Sequence, residues 1–418
     1  MAKAIPADTQ HAADLRGLNQ LAVDAIAGAA DLVEAMHAAI THLPAAIGRR
    51  APAQTSGLTH WIYDRIRGTA RKVGSGVDAS LSLLAPLLGN HDQGNEREAV
   101  LAAMNGVLGD HLEASANPLA TTMGFRHAGH ELPLARKALA AAIPDAQGCI
   151  VVLLHGLCMN DRQWRVDGHD HGAMLARDLG ATPVYLRYNS GRHISSNGRD
   201  FDRAMERLLQ TWPVPVERIM LLCHSMGGLV ARSACHHAAE AGHAWFESLS
   251  DIVFLGTPHH GAPLERAGRW IDRLIGVSPY SAPFARLGRM RSAGIQDLRH
   301  GNLRDEDWRN TGNDHGDTRI PLSLPQHVRC HAIAASVQAR HAKRSILALR
   351  GDGLVPIASA LGRHPNRALD LHISRSRQWI GYETTHLQLL GSTTVYRRIR
   401  KSLEQPAVAR SAQETFAP

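Results

Sequence analysis

One ten-residue stretch constrains the fold of this chain more than any other feature. Residues 221–230 read LLCHSMGGLV, an apolar strand pattern that changes into a helix pattern at Ser225. A serine at such a junction is typical of a nucleophile elbow, a sharp turn that exposes the hydroxyl at the end of a strand. Strand and helix approach closely there, so the neighbours must be small, as Cys223 and Gly227 are. A serine that merely caps a helix is the alternative interpretation.

Short β-rich runs alternate with helical patterns on both sides of this stretch, from about residue 123 onward. Strands that alternate with helices are typical of βαβ units, which form a parallel sheet with helices on both faces. The sequence therefore predicts the α/β class. The runs that we predict to be strands lie at 149–154, 183–188, 218–223, 251–255 and 328–334.

The chain is longer than one α/β domain requires. Its 418 residues exceed the ~250 that a single such domain commonly reaches. Apolar residues recur every three or four positions at 11–43, 58–84 and 96–112, which predicts helices there. We therefore predict three parts: a helical N-terminal region at 1–122, an α/β domain at 123–404 with a lid or cap insertion at about 262–325, and a flexible tail at 405–418.

Composition excludes several classes of protein. The net charge is +8, but the lysines and arginines are scattered rather than gathered in one run, so we expect no nucleic-acid partner. The five cysteines are odd in number and lack metal-ligand spacing, so we expect neither a metal nor another cofactor. The first twenty residues carry no secretory pattern, and no apolar run approaches the ~20 residues that span a bilayer. These features predict a cytoplasmic protein.

The N-terminal region contains an amphipathic basic stretch. Residues 61–72 combine Trp61 and Ile62 with arginines and a lysine, a pattern typical of helices that lie on membrane surfaces. Peripheral membrane contact through the N-terminal helices is one interpretation, and a helical cap or an oligomerisation element is another. Packing against the α/β domain is the favoured role. The oligomeric state is left open by the sequence.

A second glycine-containing turn follows the run at 149–154. Acyl transfer requires hydrogen-bond donors aimed at the developing oxyanion, and backbone N–H groups serve without rearrangement. The candidate donors are the N–H of Leu157, after His155-Gly156, and the N–H of Met226, directly after the serine. We expect His155 to order this loop rather than to act as a base.

A serine hydroxyl also needs a base, and the base needs a carboxylate that orients it. In hydrolases with a nucleophile elbow, the acid and then the histidine follow the serine along the chain. Asp352, in a glycine-flanked loop, is the candidate acid, and Asp370, in a strand-like setting, is the alternative. His386, which we expect to open the final helix, is the candidate base, with His364 and His372 as competitors.

Together these motifs resemble those of the α/β-hydrolases. More narrowly, they are similar to the lipase and esterase branch that includes GPI inositol-deacylase-like proteins, and the Gly-Thr-Pro-His-His-Gly stretch is the more specific part. The resemblance covers about residues 123–402 and implies an α/β-hydrolase fold with Ser225 as nucleophile, Asp352 as acid and His386 as base. The motifs that carry it are His155-Gly156, 223–228, 255–261, 351–356 and Thr385-His386-Leu387.

The expected function is that of a serine hydrolase which cleaves carboxylic esters, whether of small molecules or of lipids. Apolar side chains in the insertion at 262–325 would line an acyl pocket. An acyltransferase that uses the same acyl-enzyme is one alternative, and a non-catalytic scaffold of hydrolase fold is another. An uninterrupted Ser-Asp-His order argues against the scaffold, whereas substrate identity does not follow from fold and motif.

Overall fold

The structure is a computed structural model, and it describes residues 95–261, 292–309, 319–340 and 351–404. The helices expected at 11–43 and 58–84 and the tail at 405–418 lie outside the described residues, as does most of the expected lid. The chain divides into two units. Of the first, residues 95–97 and 112–120 are described; the second contains Glu98–His111 and everything from Thr121 onward.

An eight-stranded sheet forms the centre of the second unit. The strands are, in chain order, β1 (Gly124–His127), β2 (His130–Glu131), β3 (Cys149–Leu154), β4 (Arg165–Val166), β5 (His169–Asp170), β6 (Thr182–Arg187), β7 (Arg218–His224), β8 (Leu249–Leu255), β9 (Arg329–Ala335) and β10 (Gln378–Gly381). Across the sheet their order is β10-β9-β8-β7-β3-β6-β1-β2, and β4 and β5 form a separate ribbon. All neighbours from β10 to β6 are parallel, whereas β1 is antiparallel to both β6 and β2.

The five predicted strands are confirmed as β3, β6, β7, β8 and β9. The ends of β3 are as predicted, and those of the other four differ by at most two residues. The sequence did not predict β1, β2 or β10. These strands are two to four residues long and lie at or next to the sheet edges. Edge strands bury only part of their surface, so they lack the continuous apolar run that makes an inner strand recognisable.

Helices cover both faces of the sheet. On one face, α4 packs on α5, and α5 lies against β7 and β3; on the other, α3 packs on α10. The helix predicted at 96–112 is confirmed as α1. No helix among the described residues is long and apolar enough to cross a membrane. The helices are α1 (Asn95–Ala114), α2 (Arg136–Ala142), α3 (His171–Leu179), α4 (Ile194–Thr211), α5 (Gly227–Ala241), α6 (Ala244–Glu247), α7 (Ala293–His300), α8 (Asp305–Arg309), α9 (Ile357–Ala360) and α10 (Thr393–Leu403).

The core follows the alternation of side chains along the inner strands. Val151 and Leu153 of β3 and Leu222 of β7 are fully buried in one apolar layer. Leu175 of α3 and Ile399 of α10 pack into the same layer from above the sheet. The intervening strand residues face α5 on the opposite side, so β3 and β7 consist mostly of apolar residues.

Strand order determines where a ligand can bind. The chain runs from β3 outward to β6 and then returns across the sheet to β7, on the other side of β3. In open α/β sheets a crevice forms at such a switch point, outside the carboxyl ends of the strands. The turn after β3 and the turn after β7 both lie at this edge, and these turns contain residues 155–157 and Ser225.

Candidate active site

Ser225 lies in a strained turn between β7 and α5. Its φ of +53° is in the left-handed region, which is uncommon for residues other than glycine. The Ser225 N–H donates to the carbonyl of Leu255 on β8 at 2.9 Å, which extends the sheet pairing to the serine itself. Helix α5 begins two residues later, at Gly227. This geometry is that of a tight strand–turn–helix junction.

The junction is crowded, which explains its small residues. A Cβ at Gly227 would lie 2.5 Å from the Leu154 carbonyl oxygen, and one at Gly228 would lie 2.1 Å from Thr257 Oγ1. Real Cβ atoms do not approach so closely, so α5 can begin against β3 and the 257 loop only with glycine at these positions. Cys223 is fully buried on the strand side, and burial raises the pKa of its thiol well above the usual range.

Asp352 and His386 are joined by a hydrogen bond although 34 residues separate them in sequence. His386 Nδ1 lies 2.7 Å from Asp352 Oδ2, and both side chains are buried. The other carboxylate oxygen accepts the N–H of Leu354 at 2.9 Å and that of Val355 at 2.7 Å. An ionised carboxylate only accepts, so Nδ1 carries a hydrogen and Nε2 of the neutral ring is the free basic nitrogen.

The imidazole of His386 shares a sheet edge with the serine turn. Its ring centroid lies 4.7 Å from that of His224, and His224 Nε2 donates to the His386 carbonyl at 3.2 Å. His386 also lies close to Gly256, because a Cβ at Gly256 would be 3.1 Å from His386 Cε1. Gly256 directly follows Leu255, whose carbonyl accepts the hydrogen bond from the Ser225 N–H. His386 Nε2 is buried and has no hydrogen-bond partner within the described part of the chain.

His155 orders the loop after β3. Its Nδ1 donates to the Gly156 carbonyl at 2.9 Å, while Nε2 accepts the Tyr188 N–H at 3.4 Å. Burial lowers the pKa of His155 to about 4, so the ring is neutral at pH 7. A peptide plane carries its C=O and N–H on opposite sides. Because His155 holds the Gly156 oxygen, the orientation of the Leu157 N–H is determined as well.

The two expected oxyanion donors are unused. Neither the Leu157 N–H nor the Met226 N–H has a hydrogen-bond acceptor among the residues that the structure describes. The loop that carries Leu157 also approaches the serine, since a Cβ at Gly156 would lie 3.1 Å from Ser225 Cβ. Met226 immediately precedes α5, where helix N–H groups point outward and favour negative charge.

The alternative acid, Asp370, and the alternative bases, His364 and His372, make contacts with one another rather than with the site. Asp370 accepts the N–H of His372 at 2.7 Å and that of His364 at 3.2 Å. Its side chain therefore closes a turn, and the expectation that residues 369–371 form a strand is wrong. A short carboxylate that satisfies backbone N–H groups favours a turn over a strand. Neither His364 nor His372 contacts Asp352.

His386 does not open the final helix, contrary to expectation. It precedes a 3₁₀ turn at Leu387–Leu389, and α10 begins only at Thr393. The Ser392 side chain accepts the N–H of Val395, a capping interaction that starts the helix there. The candidate base is therefore carried by a short, separately anchored turn.

Two further histidines hold this turn. The sequence predicts packing or loop support for His224, which agrees with its contact here, whereas it predicts no role for His171. His171 Nε2 donates to the Leu389 carbonyl at 2.9 Å, and His171 Nδ1 lies 2.7 Å from His169 Nε2. Burial lowers the pKa of His171 to about 4. From the other side, His224 donates to the His386 carbonyl. No sequence signal marks these contacts, because the two partners of the first are 218 residues apart.

One group of possible metal ligands occurs among the described residues. His236, His237 and Glu240 of α5 bring three potential ligand atoms within 4.8 Å of one another. Glu240 is exposed, and the two histidines are partly buried. Exposed groups of this kind are common without an ion, and none of these residues contacts Asp352 or His386.

The mostly parallel sheet, covered by helices on both faces and with a strained serine between β7 and α5, defines an α/β-hydrolase fold. Residues 145–311 match the family model of the PGAP1-like alpha/beta domain, a segment that runs from just before β3 past α8. The resemblance to the α/β-hydrolase superfamily is thereby confirmed. The matched segment includes Ser225 and ends before Asp352 and His386.

Solved structures of lipases and esterases resemble the chain more distantly, and no curated protein matches it significantly. The mature Bacillus licheniformis lipase BlEst2 is 16% identical, covers 61% of this chain and 91% of its own, and has a TM-score of 0.39. The Pyrococcus furiosus esterase Pf2001 is 14% identical, covers 63% of this chain and 84% of its own, and has a TM-score of 0.37. Aspergillus fumigatus lipase B is 13% identical, and the alignment covers 64% of this chain and 52% of the lipase, with a TM-score of 0.34.

Proposed function

We propose that this protein is a serine hydrolase of carboxylic esters. Ser225 is the nucleophile, His386 the base and Asp352 the acid that orients it. The N–H groups of Leu157 and Met226 form the oxyanion hole. The proposal assigns no metal and no cofactor to the reaction, because these groups suffice for acyl transfer.

One observation carries the proposal: a buried His386 is bound by Asp352 through Nδ1 and has no partner for Nε2 among the described residues. A buried polar atom without a partner is costly, and fewer than one in ten in native proteins lacks one. Such atoms occur where a reacting group is expected to bind. The strained serine lies at the same sheet edge, which supports the assignment of Nε2 as its base.

The reaction follows from these roles. His386 Nε2 takes the Ser225 proton as the oxygen attacks the ester carbonyl, and Asp352 stabilises the resulting imidazolium. The negative oxygen of the tetrahedral intermediate accepts hydrogen bonds from Leu157 and Met226. Collapse expels the alcohol, which receives the proton from Nε2. Water then repeats the sequence on the acyl-enzyme, releasing the acid and the free serine.

An acyltransferase is the second candidate, because it forms the same acyl-enzyme and differs only in the acceptor. The region expected to exclude water, the insertion at 262–325, is described only at 292–309 and 319–325. The ester hydrolase is favoured because its reaction needs no acceptor site beyond the groups already named. A scaffold without chemistry is disfavoured by the Asp352–His386 hydrogen bond and the strained φ of Ser225.

The test is an ester panel graded by acyl length, run with the parent protein and with Ser225→Ala. The parent is expected to hydrolyse at least one member, and Ser225→Ala is expected to lose all detectable turnover while remaining folded by circular dichroism. Ser374→Ala, a change at an exposed serine outside the site, is the matched control and should retain parent activity. Activity near the parent level in folded Ser225→Ala would refute the assignment.

Product analysis distinguishes the two candidate enzymes. With an ester substrate and added alcohol or amine acceptors, a hydrolase releases free acid in proportion to ester consumed. An acyltransferase instead yields the transferred ester or amide, with free acid a minor product. Dominant transfer at millimolar acceptor in water would replace the first candidate with the second.

A further inference from the structure

An arginine is buried without a counter-charge behind the serine turn. Arg232, on α5, is only 5% exposed. Its Nη2 donates to the Leu322 carbonyl at 2.7 Å, and its Nε has no partner. No carboxylate forms an ion pair with it among the described residues. Asp307 lines the same cavity as Arg232, and its two oxygens accept backbone N–H groups.

The charge of Arg232 persists in spite of its burial. Burial, together with the nearby guanidinium of Arg319, lowers its pKa to about 10, so the side chain stays protonated at neutral pH. A buried charge that lacks a paired opposite charge is energetically unfavourable. The site therefore favours any anion small enough to enter it.

His259 supplies a second donor that is buried and unused. Its Nδ1 lies 3.5 Å from Arg232 Nη1, and an arginine can only donate. Nδ1 is therefore the acceptor, and the hydrogen of the neutral ring is on Nε2. This Nε2–H is buried and has no acceptor in the described ranges.

Both side chains line a cavity of about 20 Å³. Roughly 10–15 Å³ holds a single water molecule, so the cavity has room for one monatomic occupant. We propose that this cavity binds one monatomic anion, chloride in physiological media, held by Arg232 and His259. The proposal is independent of the hydrolase reaction.

Water is the competing occupant. His260 also lines the cavity, and its hydrogen bond to the Gly362 carbonyl leaves the Nε2 of the neutral ring as an acceptor. An acceptor suits a water molecule, which donates as well as accepts. Two fixed donors, one of them charged, instead favour an anion.

The position of the cavity gives the anion a structural effect. His259 and His260 lie in the turn that follows Gly256, and the His260 N–H donates to Ser359 Oγ on α9 at 3.2 Å. Arg232 connects this turn to α5, and α9 follows the Asp352 loop. An anion between Arg232 and His259 would strengthen the connection between the helix behind Ser225 and the segment that carries Asp352.

The direct test is crystallographic and uses the unmodified protein. Crystals grown without chloride are soaked in sodium bromide, and anomalous difference maps are calculated at the bromine edge. We expect a bromide peak within about 3.5 Å of Arg232 Nε and His259 Nε2. Density that refines as water with no anomalous signal would overturn the proposal.

A second test works in solution. The Tm of chloride-free protein is measured against sodium chloride, with sodium gluconate maintaining constant ionic strength because gluconate exceeds the cavity. We expect Tm to rise by about 2–5 °C for each tenfold increase of chloride above its Kd. Equal Tm values in the two salts across the titration would contradict the proposal.

Variants assign the effect to the cavity. Arg232→Met should abolish the chloride-dependent rise, whereas Arg207→Met, at an exposed arginine on α4 that does not line the cavity, should retain it. His259→Phe removes the second donor and keeps the ring, so it should reduce the rise even if Arg232→Met does not fold. A full rise in folded His259→Phe would show that the anion binds elsewhere.

Discussion

At the scale of single residues, the candidate site depends on which atom of each histidine carries the hydrogen. In His386 the Asp352 carboxylate places a ring hydrogen on Nδ1, and in His155 the Gly156 carbonyl does the same. His224 donates from Nε2 to the His386 carbonyl. The three imidazoles therefore act in different ways: one is proposed as a base, one orients an N–H, and one holds a turn.

Asp352→Asn is expected to lower kcat by up to ~10⁴ with little change in stability. An asparagine amide presents either an oxygen or an NH₂ group to the ring, so the imidazole is no longer held in the Nδ1–H tautomer. Steady-state kinetics on the best ester of the panel provides the measurement. Asp370→Asn is the control and should stay near the parent, since Asp370 only closes a turn. A large loss of kcat in Asp370→Asn, with kcat near the parent value in Asp352→Asn, would identify Asp370 as the acid instead.

His155→Leu is expected to lower kcat by about 10–10² and to change KM much less. Losing one oxyanion donor outright costs about 10²–10³, and here the donor is misdirected rather than removed. Tyr188→Phe is the matched control, because it removes the bond from the tyrosine hydroxyl to the His155 carbonyl and leaves the His155–Gly156 contact. A folded His155→Leu variant with parent kcat would show that the loop is ordered without the imidazole.

At the scale of elements, the turn between β7 and α5 combines strain with crowding. The left-handed φ of Ser225 is tolerated because the neighbouring elements constrain it: β8 holds its N–H, and α5 lies against β3 through Gly227 and the 257 loop through Gly228. The short 3₁₀ turn after His386 is anchored in a similar way, by His171 and His224. Both turns depend on contacts from distant parts of the chain.

Cys223 provides a test of the crowded turn. Cys223→Gly should retain activity with a modest loss of stability from lost packing and added chain entropy. Cys223→Leu should overpack the turn, cost ~1–3 kcal/mol or more, and reduce turnover. Urea unfolding and steady-state kinetics measure the two effects.

A labelling experiment controls for the chemical alternative that Cys223 itself is the nucleophile. Its burial and raised pKa argue against a reactive thiolate. A fluorophosphonate probe on the parent protein should modify Ser225, as identified by peptide mapping. Label on Cys223, or loss of turnover in folded Cys223→Gly, would overturn this view.

At the scale of the whole molecule, buried neutral histidines are a recurring feature. Burial lowers the pKa of His155, His171 and His260 to about 4, and it lowers those of His224 and His259 well below the ordinary value. In the unfolded chain a histidine titrates near ~6.5. Between these values the unfolded state binds more protons than the folded state does, so acid favours unfolding.

The free energy of unfolding should therefore be highest above pH ~6.5 and fall by more than ~1 kcal/mol per pH unit as pH decreases toward 4. Urea unfolding at pH 7.5, 6.5 and 5.5 measures this slope. His171→Gln should flatten it by up to ~1.4 kcal/mol per pH unit, because one proton uptake is removed. His130→Gln, at an exposed position, should leave the slope unchanged. Equal slopes in the parent and His171→Gln would refute this explanation.

The sequence by itself determined the fold class, because strand and helix patterns are local and the inner strands β3 and β7 consist mostly of apolar residues. It also placed Ser225 at a strand–helix junction, with the small residues that the junction needs. Asp352 and His386 follow Ser225 along the chain as the candidate acid and the candidate base. The domain boundaries at 122 and 404, the lid at 262–325 and the cytoplasmic location stay predictions.

Only the tertiary structure decided which side chains meet. The hydrogen bond between Asp352 and His386, the anchoring of the 3₁₀ turn by His171 and the burial of Arg232 beside His259 all join residues that are distant in sequence. The short edge strand β10 also became visible only in the sheet. Hydrogen bonding and burial depend on distances in space, and a pattern of neighbours along the chain contains no such information.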